Sequence, residues 1–254
     1  DWVGARDQLG FCSDGSCLIY LASVISDSWK EFDFSVVNGV VTSARVELRI
    51  YRNLEHGELP TVNALVVHQT AGPTAESTFN TYGSAGHTLG AHFLIDRSGN
   101  IYQTAAIDSR AYHVGLLRSR CLAEPNYCAY PTQNFGWWSW VADSEEYQRA
   151  AKVLDIDATN VREARKQFPY RYPKNNDSLG IELVGAARDP VTGKVSFAKN
   201  AVFEDATDIQ NESLTWLVGK LKIIYNIEAG NVYRHPTVAP KNASEAQSAN
   251  WDVQ

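Results

Sequence analysis

The chain has 254 residues, 44% hydrophobic and 20% charged, and its 23 Lys+Arg against 29 Asp+Glu give a net charge of −6. This composition is globular and lacks the basic surplus on which nucleic-acid binding depends. At this length roughly 70% of the unfolded surface can leave water, enough for a sizeable core in one large or two small domains.

The longest apolar runs, Ala64 to Val67 and Leu221 to Tyr225, fall far short of the ~20 residues of a membrane-spanning helix, so no membrane span is expected. The chain begins at Asp1 and contains no Met, which predicts that the start of the gene product has been removed. Four cysteines form two close pairs, Cys12/Cys17 and Cys121/Cys128. Neither has the C-x-x-C spacing of zinc ribbons or redox motifs. Local disulfides made in an oxidising compartment are favoured over buried reduced thiols, with three connectivities formally open.

In chain order, Asn38-Gly39 between Ser35-Val-Val and Val40-Val-Thr predicts a two-residue hairpin. Val41 to Tyr51 alternates, with Val46, Leu48 and Ile50 on one face, and predicts a half-buried strand. These elements define a small β-rich N-terminal extension, residues 1–60. The remainder, 61–254, reads as a second unit. Asn63 to His68 predicts a strand buried on both sides, and Ala91 to Asp96 with Ile101 to Gln103 a hairpin across Arg97-Ser-Gly-Asn100. Arg118 to Asn176, rich in Trp, Tyr, Asn and Pro, reads as a long insertion containing a short helix over Ser144 to Lys152. Ser178 to Val184 predicts another strand. Leu214, Leu217, Val218, Leu221, Ile224 and Tyr225 recur at helical spacing and predict an amphipathic helix whose apolar stripe faces the sheet. The fold class is therefore α/β, with a sheet that is mixed or antiparallel in part.

Six histidines, at 56, 68, 87, 92, 113 and 235, form no local metal motif. His68 ends a buried strand, His113 sits in Ala111-Tyr-His-Val-Gly115 and His235 follows the long helix; each alone also fits a hydrogen-bonded structural role. Glu182 stands inside the apolar run Leu179-Gly-Ile-Glu-Leu-Val184. Its burial must be compensated by an ion pair, or else its pKa is raised and it serves as a general base beside a metal-bound water.

Four motifs then occur in order: Val66-Val-His-Gln-Thr70, Gly90-Ala-His-Phe-Leu-Ile-Asp-Arg-Ser-Gly-Asn-Ile-Tyr-Gln103, Tyr112-His-Val-Gly115 and Asp177-Ser-Leu-Gly-Ile-Glu-Leu-Val-Gly185. A fifth, Val232-Tyr-Arg-His-Pro-Thr-Val-Ala-Pro-Lys241, follows the helix. From about residue 63 onward the chain resembles the zinc-dependent N-acetylmuramoyl-L-alanine amidases of type 2, a fold shared with phage amidase-type lysozymes and animal peptidoglycan recognition proteins.

The resemblance implies a mixed central sheet flanked by helices, with Zn2+ in a cleft at one sheet edge held by His68, His235 and a third ligand. It implies Glu182 as the catalytic acid/base in hydrolysis of the amide between N-acetylmuramic acid and L-Ala. Family members place an Asp or Cys eight to ten positions after the last His. Here Glu245 stands at the Asp-type spacing, with Asp252 as the alternative. Lys241 is a candidate for stabilising the developing oxyanion, or is a solvated surface lysine. His113 is a candidate for contacting the substrate carbonyl or the zinc-bound water. Phage and animal members carry a Tyr where Ala91 stands, so that auxiliary donor is missing. His92, Trp137 and Trp138 complete the expected substrate-binding set, although His92 also fits a structural role and Trp137, Trp138 and Trp140 also fit a core cluster. The implied partner is peptidoglycan or a muropeptide, met in the periplasm or cell wall by a secreted or injected protein. An antibacterial toxin with an immunity protein is one biological role for such an enzyme. The rival reading is a recognition module that binds muropeptides without cutting them.

Overall fold

The computed structural model describes residues 34–127 and 156–252. A hairpin of β1 (Ser35–Val37) and β2 (Val40–Thr42) opens the described chain. Its turn residues Asn38 and Gly39 have φ of 50° and 72°, the left-handed pair that a two-residue hairpin needs. The strand predicted over 41–51 is split by a turn in which Val46 N donates to Ser43 O, and only β3 (Val46–Leu48) resumes. Among the described residues β3 pairs with one neighbour and lies at the sheet edge. Val46 is buried, but Leu48 on the face expected to be covered is 50% exposed.

The main sheet adds β4 (Ala64–Ala71), β5 (Phe93–Ile95), β6 (Ile101–Gln103), β7 (Ser178–Arg188), β8 (Val202–Phe203) and β9 (Val232–Arg234). Its order is β3-β6-β5-β7-β4-β9, with β8 paired antiparallel to the end of β7. The β5–β6 hairpin is antiparallel, whereas β5–β7, β7–β4 and β4–β9 are parallel. The sheet is thus mixed, as the sequence predicts, and continuous with β3 from the segment before residue 60. Parallel strands carry helices on their faces, which is why β4 and β7 read as near-continuous apolar runs.

Alternation assigns the two faces. Leu65, Val67, Phe93, Ile95, Leu179, Ile181 and Leu183 pack against Leu214, Leu217, Val218 and Leu221 of a long helix, Asp208–Tyr225. That helix starts earlier than the apolar pattern shows, because Thr207 and Gln210 form a capping box, and Asn226 in the left-handed region ends it. On the opposite face, Ala64 and Val66 meet Val114, Leu117, Tyr172, Tyr233 and Val238, while Leu94 and Val184 meet Phe79 of the helix Ala75–Tyr82. In chain order the described helices are α1 (Ala75–Tyr82), α2 (Arg120–Ala123), α3 (Ile156–Arg165), α4 (Asp208–Tyr225) and α5 (His235–Val238).

The described flanks of the 118–176 insertion are anchored at Arg120. Its guanidinium is buried, lies 3.5 Å from the Tyr127 ring centroid and pairs with Glu124 at 3.1 Å. Trp137, Trp138, Trp140 and the helix predicted over 144–152 lie outside the described residues. Among the described residues Cys121 is not a free thiol; Cys12, Cys17 and Cys128 lie outside them. No helix among the described residues is long and apolar enough to cross a membrane.

Candidate functional site

β4, β7 and β9 run parallel, so their carboxyl ends open on the same side of the sheet, where α/β folds place their ligands. His68 of β4 and Glu182 of β7 are register partners and share the face away from α4. His235 follows β9 at once, as the first residue of α5. Glu245, ten positions later, folds back beneath both imidazoles: its Oε1 is 2.7 Å from His235 Nδ1 and 3.6 Å from His68 Nδ1. The two ring centroids are 4.1 Å apart, and one donor atom from each of the three residues falls within 4.8 Å of the others. All three side chains are buried. Asp252 is exposed and does not join them.

The donor set fits a zinc ion. His235 Nε2 is 2.9 Å from the Val114 carbonyl, which can only accept, so the proton sits on Nε2 and Nδ1 presents a lone pair. That lone pair and a carboxylate oxygen face one another in a buried space, an arrangement that calls for a proton or a cation between them. Burial raises the Glu245 carboxyl, and the two imidazoles beside it more than reverse this, leaving it at about 2. Burial and the neighbouring His235 lower the His68 imidazole to about 4. An ionised carboxylate and neutral imidazoles are the forms that ligate zinc.

Glu182 borders this cluster in a cleft of about 950 Å³. Its Oε2 is out of contact with water and has no hydrogen-bond partner, and no described residue forms an ion pair with it. Burial, followed by the charge of Glu245, pushes its carboxyl up to about 8, and Lys241 pulls the other way. Lys241 lies over Gly115, its Nζ 4.0 Å from where a Cβ would stand there. It is exposed and lines the same cleft.

Three expectations are corrected by the hydrogen bonding. His92 does not face substrate: it is wholly buried, Nδ1 accepts from Gly180 N at 3.0 Å and Nε2 donates to Ser109 O at 2.9 Å, so both nitrogens hold backbone. His113 lines the cleft, but its Nδ1 is 3.0 Å from His68 Nε2 and its Nε2 is 3.3 Å from Ser178 O, which leaves no ring nitrogen for a substrate carbonyl. The cleft is also not short of a phenol. Tyr82 of α1 brings its hydroxyl to within 3.4 Å of Ala91 N, beside the position where the sequence lacks a Tyr, and senses the charge of Glu182. Asn175 is a further contributor, its Oδ1 accepting from His113 N at 3.0 Å and Val114 N at 2.8 Å. Neither residue carries a local sequence signal, because each reaches the cleft through contacts distant in the chain.

No curated relative matches the sequence. Among solved structures the chain is similar to AmpD, determined as its selenomethionine derivative, at 20% identity over 85% of this chain and 95% of that one, with a TM-score of 0.46. It is similar to the catalytic domain of XlyA at 16% identity over 77% and 87% of the two chains, TM-score 0.42. It is also similar to AmpDH3 from Pseudomonas aeruginosa, solved in complex with anhydromuramic pentapeptide, at 20% identity over 72% and 55%, TM-score 0.41. The family model for N-acetylmuramoyl-L-alanine amidase matches residues 58–251, a span that holds His68, Glu182, His235 and Glu245. A match over most of its length shows that the chain belongs to the N-acetylmuramoyl-L-alanine amidase family.

Proposed function

We propose that the protein is a zinc-dependent N-acetylmuramoyl-L-alanine amidase, hydrolysing the amide that joins N-acetylmuramic acid to L-Ala of the peptidoglycan stem peptide. The observation that carries this reading is the unpartnered Glu182 carboxylate set beside a converging His68, His235 and Glu245. His68 and His235 would hold the ion through Nδ1 and Glu245 through its carboxylate. Bound there, zinc supplies Lewis acidity and lowers the pKa of a bound water to about 7.

The chain's own residues account for the proton and charge movements. Glu182 accepts a proton from the attacking water as the new bond forms between its oxygen and the carbonyl carbon. It then returns that proton to the nitrogen of L-Ala as the carbon–nitrogen bond breaks. Its carboxyl, lifted towards neutrality, is matched to taking and giving a proton near neutral pH. Lys241 offers an ammonium group to the negative charge that develops on the carbonyl oxygen.

A recognition module that binds without cutting is the expected outcome where the third ligand is lost, and the convergence of Glu245 with the two imidazoles supports hydrolysis instead. The same reading gives a secreted or periplasmic enzyme with Cys12–Cys17 and Cys121–Cys128 disulfides, an extension over 1–60 ahead of a catalytic unit over 61–254, and action on cell walls. Use as an antibacterial toxin with an immunity protein is compatible with that chemistry.

The test is incubation of purified sacculi with zinc-loaded and chelated protein. Stem peptides with a free N-terminal L-Ala should appear only with the loaded form and return when zinc is restored. Release that survives chelation overturns zinc hydrolysis, and stoichiometric binding without product establishes the recognition module.

A further inference from the structure

His113 is half-buried beside the His68–His235–Glu245 cluster, and its hydrogen bonds run in one direction. Its Nε2 faces two oxygens of Ser178, the carbonyl at 3.3 Å and Oγ at 3.4 Å. The carbonyl can only accept. The hydroxyl proton of Ser178 is already donated to Lys174 O at 2.9 Å, so Oγ also offers a lone pair. Both oxygens therefore place the imidazole proton on Nε2 and leave a lone pair on Nδ1. That lone pair is 3.0 Å from His68 Nε2 and requires a proton there, which leaves His68 Nδ1 with its lone pair aimed at Glu245 and the metal position. The proton pattern of His68 is thus set two residues away, by a backbone carbonyl on β7.

The backbone is shaped to admit this ring. A Cβ at Gly180 would lie 2.8 Å from His113 Cγ and 2.9 Å from its Nδ1, so the absence of a side chain on β7 is what lets the imidazole reach His68. The next residue serves the other ligand, since the Val114 carbonyl accepts from His235 Nε2 at 2.9 Å. Asn175 Oδ1 clamps both amides of this dipeptide. One two-residue segment therefore orients both imidazoles, through a side chain on one and a carbonyl on the other.

We propose that His113 is a positioning residue: it fixes the tautomer and ring orientation of His68 and so sets the affinity of the His68–His235–Glu245 site for zinc, without touching substrate. Outer partners of metal-binding histidines are worth ten- to a hundredfold in affinity. The proposal rests on the zinc reading, and its test separates the two. The full chain is compared as wild type, His113→Leu and His113→Gln, with zinc affinity measured by competition against a chromophoric chelator. Leu fills the space without an acceptor, whereas Gln Oε1 can accept from His68 Nε2.

The expected result is a ten- to hundredfold weaker site in His113→Leu and most of that affinity regained in His113→Gln. In metal-free wild-type protein, nitrogen-15 correlation spectra at pH 7.5 should show His68 and His113 both protonated at Nε2. A folded His113→Leu chain that binds zinc as the wild type does, or a Gln variant as weak as the Leu variant, overturns the proposal. Should the Leu variant not fold, the wild-type spectrum decides: His68 protonated at Nδ1 overturns it. A wild type that binds no zinc topples the zinc reading and with it the affinity effect, while the positioning of His68 by His113 is still decided by the tautomer, which is read without metal.

Discussion

Two carboxylates in one cleft are driven to opposite protonation states by their neighbours. Glu245, set beside two imidazoles, is held at about 2, and Glu182, whose Oε2 is shut off from water without a partner, is pushed to about 8. Groups whose environments separate them in this way divide the acid/base work of a site between them. Glu182→Gln should therefore lower kcat by at least ~10²-fold while zinc content, measured by metal analysis, stays at the wild-type level. Glu182 must be ionised to accept a proton, so activity should rise with pH through its pKa, and that limb of the profile should vanish in the Gln variant's residual activity. Glu245→Ala should do the reverse in the assay that matters, losing zinc at concentrations that saturate the wild type. His68, His235 and Glu182 stand in recognisable motifs, whereas Glu245 is marked only by its spacing from His235, with Asp252 as the alternative. The roles of His92 and His113 were not legible, because whether a ring nitrogen is free depends on the Ser109 and Ser178 carbonyls, which no spacing rule connects to them.

At the scale of elements, periodicity revealed what is locally encoded. The Asn38-Gly39 hairpin, the two-sided apolar run of β4 and the stripe of α4 all follow from sequence pattern. The break at 43–45, the three-residue β9 and the parallel neighbours of β7 are settled by partners far along the chain and leave no local trace. Register between β4 and β7 matters most, since it sets His68 against Glu182, and a slip of β4 by one residue would turn His68 to the α4 face and away from Glu182. Two glycines test how far the elements constrain single positions. Gly180→Ala places a methyl 2.8 Å from His113 Cγ and 3.1 Å from Ala91 Cβ, which should cost about 1–3 kcal/mol in chemical denaturation and weaken zinc binding together with it. Gly219→Ala, in the interior of α4 with nothing within 4 Å of the added carbon, should instead stabilise by roughly 0.5–1 kcal/mol. Equal effects at the two positions would show that the His113 notch is not a constraint.

Across the whole molecule, the site is a concentration of titratable groups in a protein otherwise stabilised by apolar packing, so its protonation should register in global stability. Burial holds His68 and His92 at about 4 and His113 well below its ordinary value. For such lowered imidazoles the unfolded chain binds more protons between about pH 6.5 and 4, and stability is lost as pH falls through that window. For His92, lowered from 6.5 to about 4, the full effect is on the order of 3 kcal/mol. Glu245 adds a loss in the same direction, from about 4.5 downward. Glu182 acts oppositely: its raised carboxyl means that the folded chain holds the extra proton between 4.5 and about 8, so stability declines as pH rises through that range. Metal-free protein should accordingly be most stable near pH 6 to 7, with thermal midpoints falling on both sides. Zinc at a thousand times its dissociation constant should add about 4 kcal/mol at pH 7.5, well above the values at which His68 and Glu245 are held. At pH 3.5, below the value of about 4 at which His68 is held, a proton competes with the metal for that imidazole and the same zinc concentration should shift the midpoint less. Calorimetric scans with and without zinc at the two pH values measure this directly; an equal shift at both would mean that the metal binds elsewhere than at His68, His235 and Glu245.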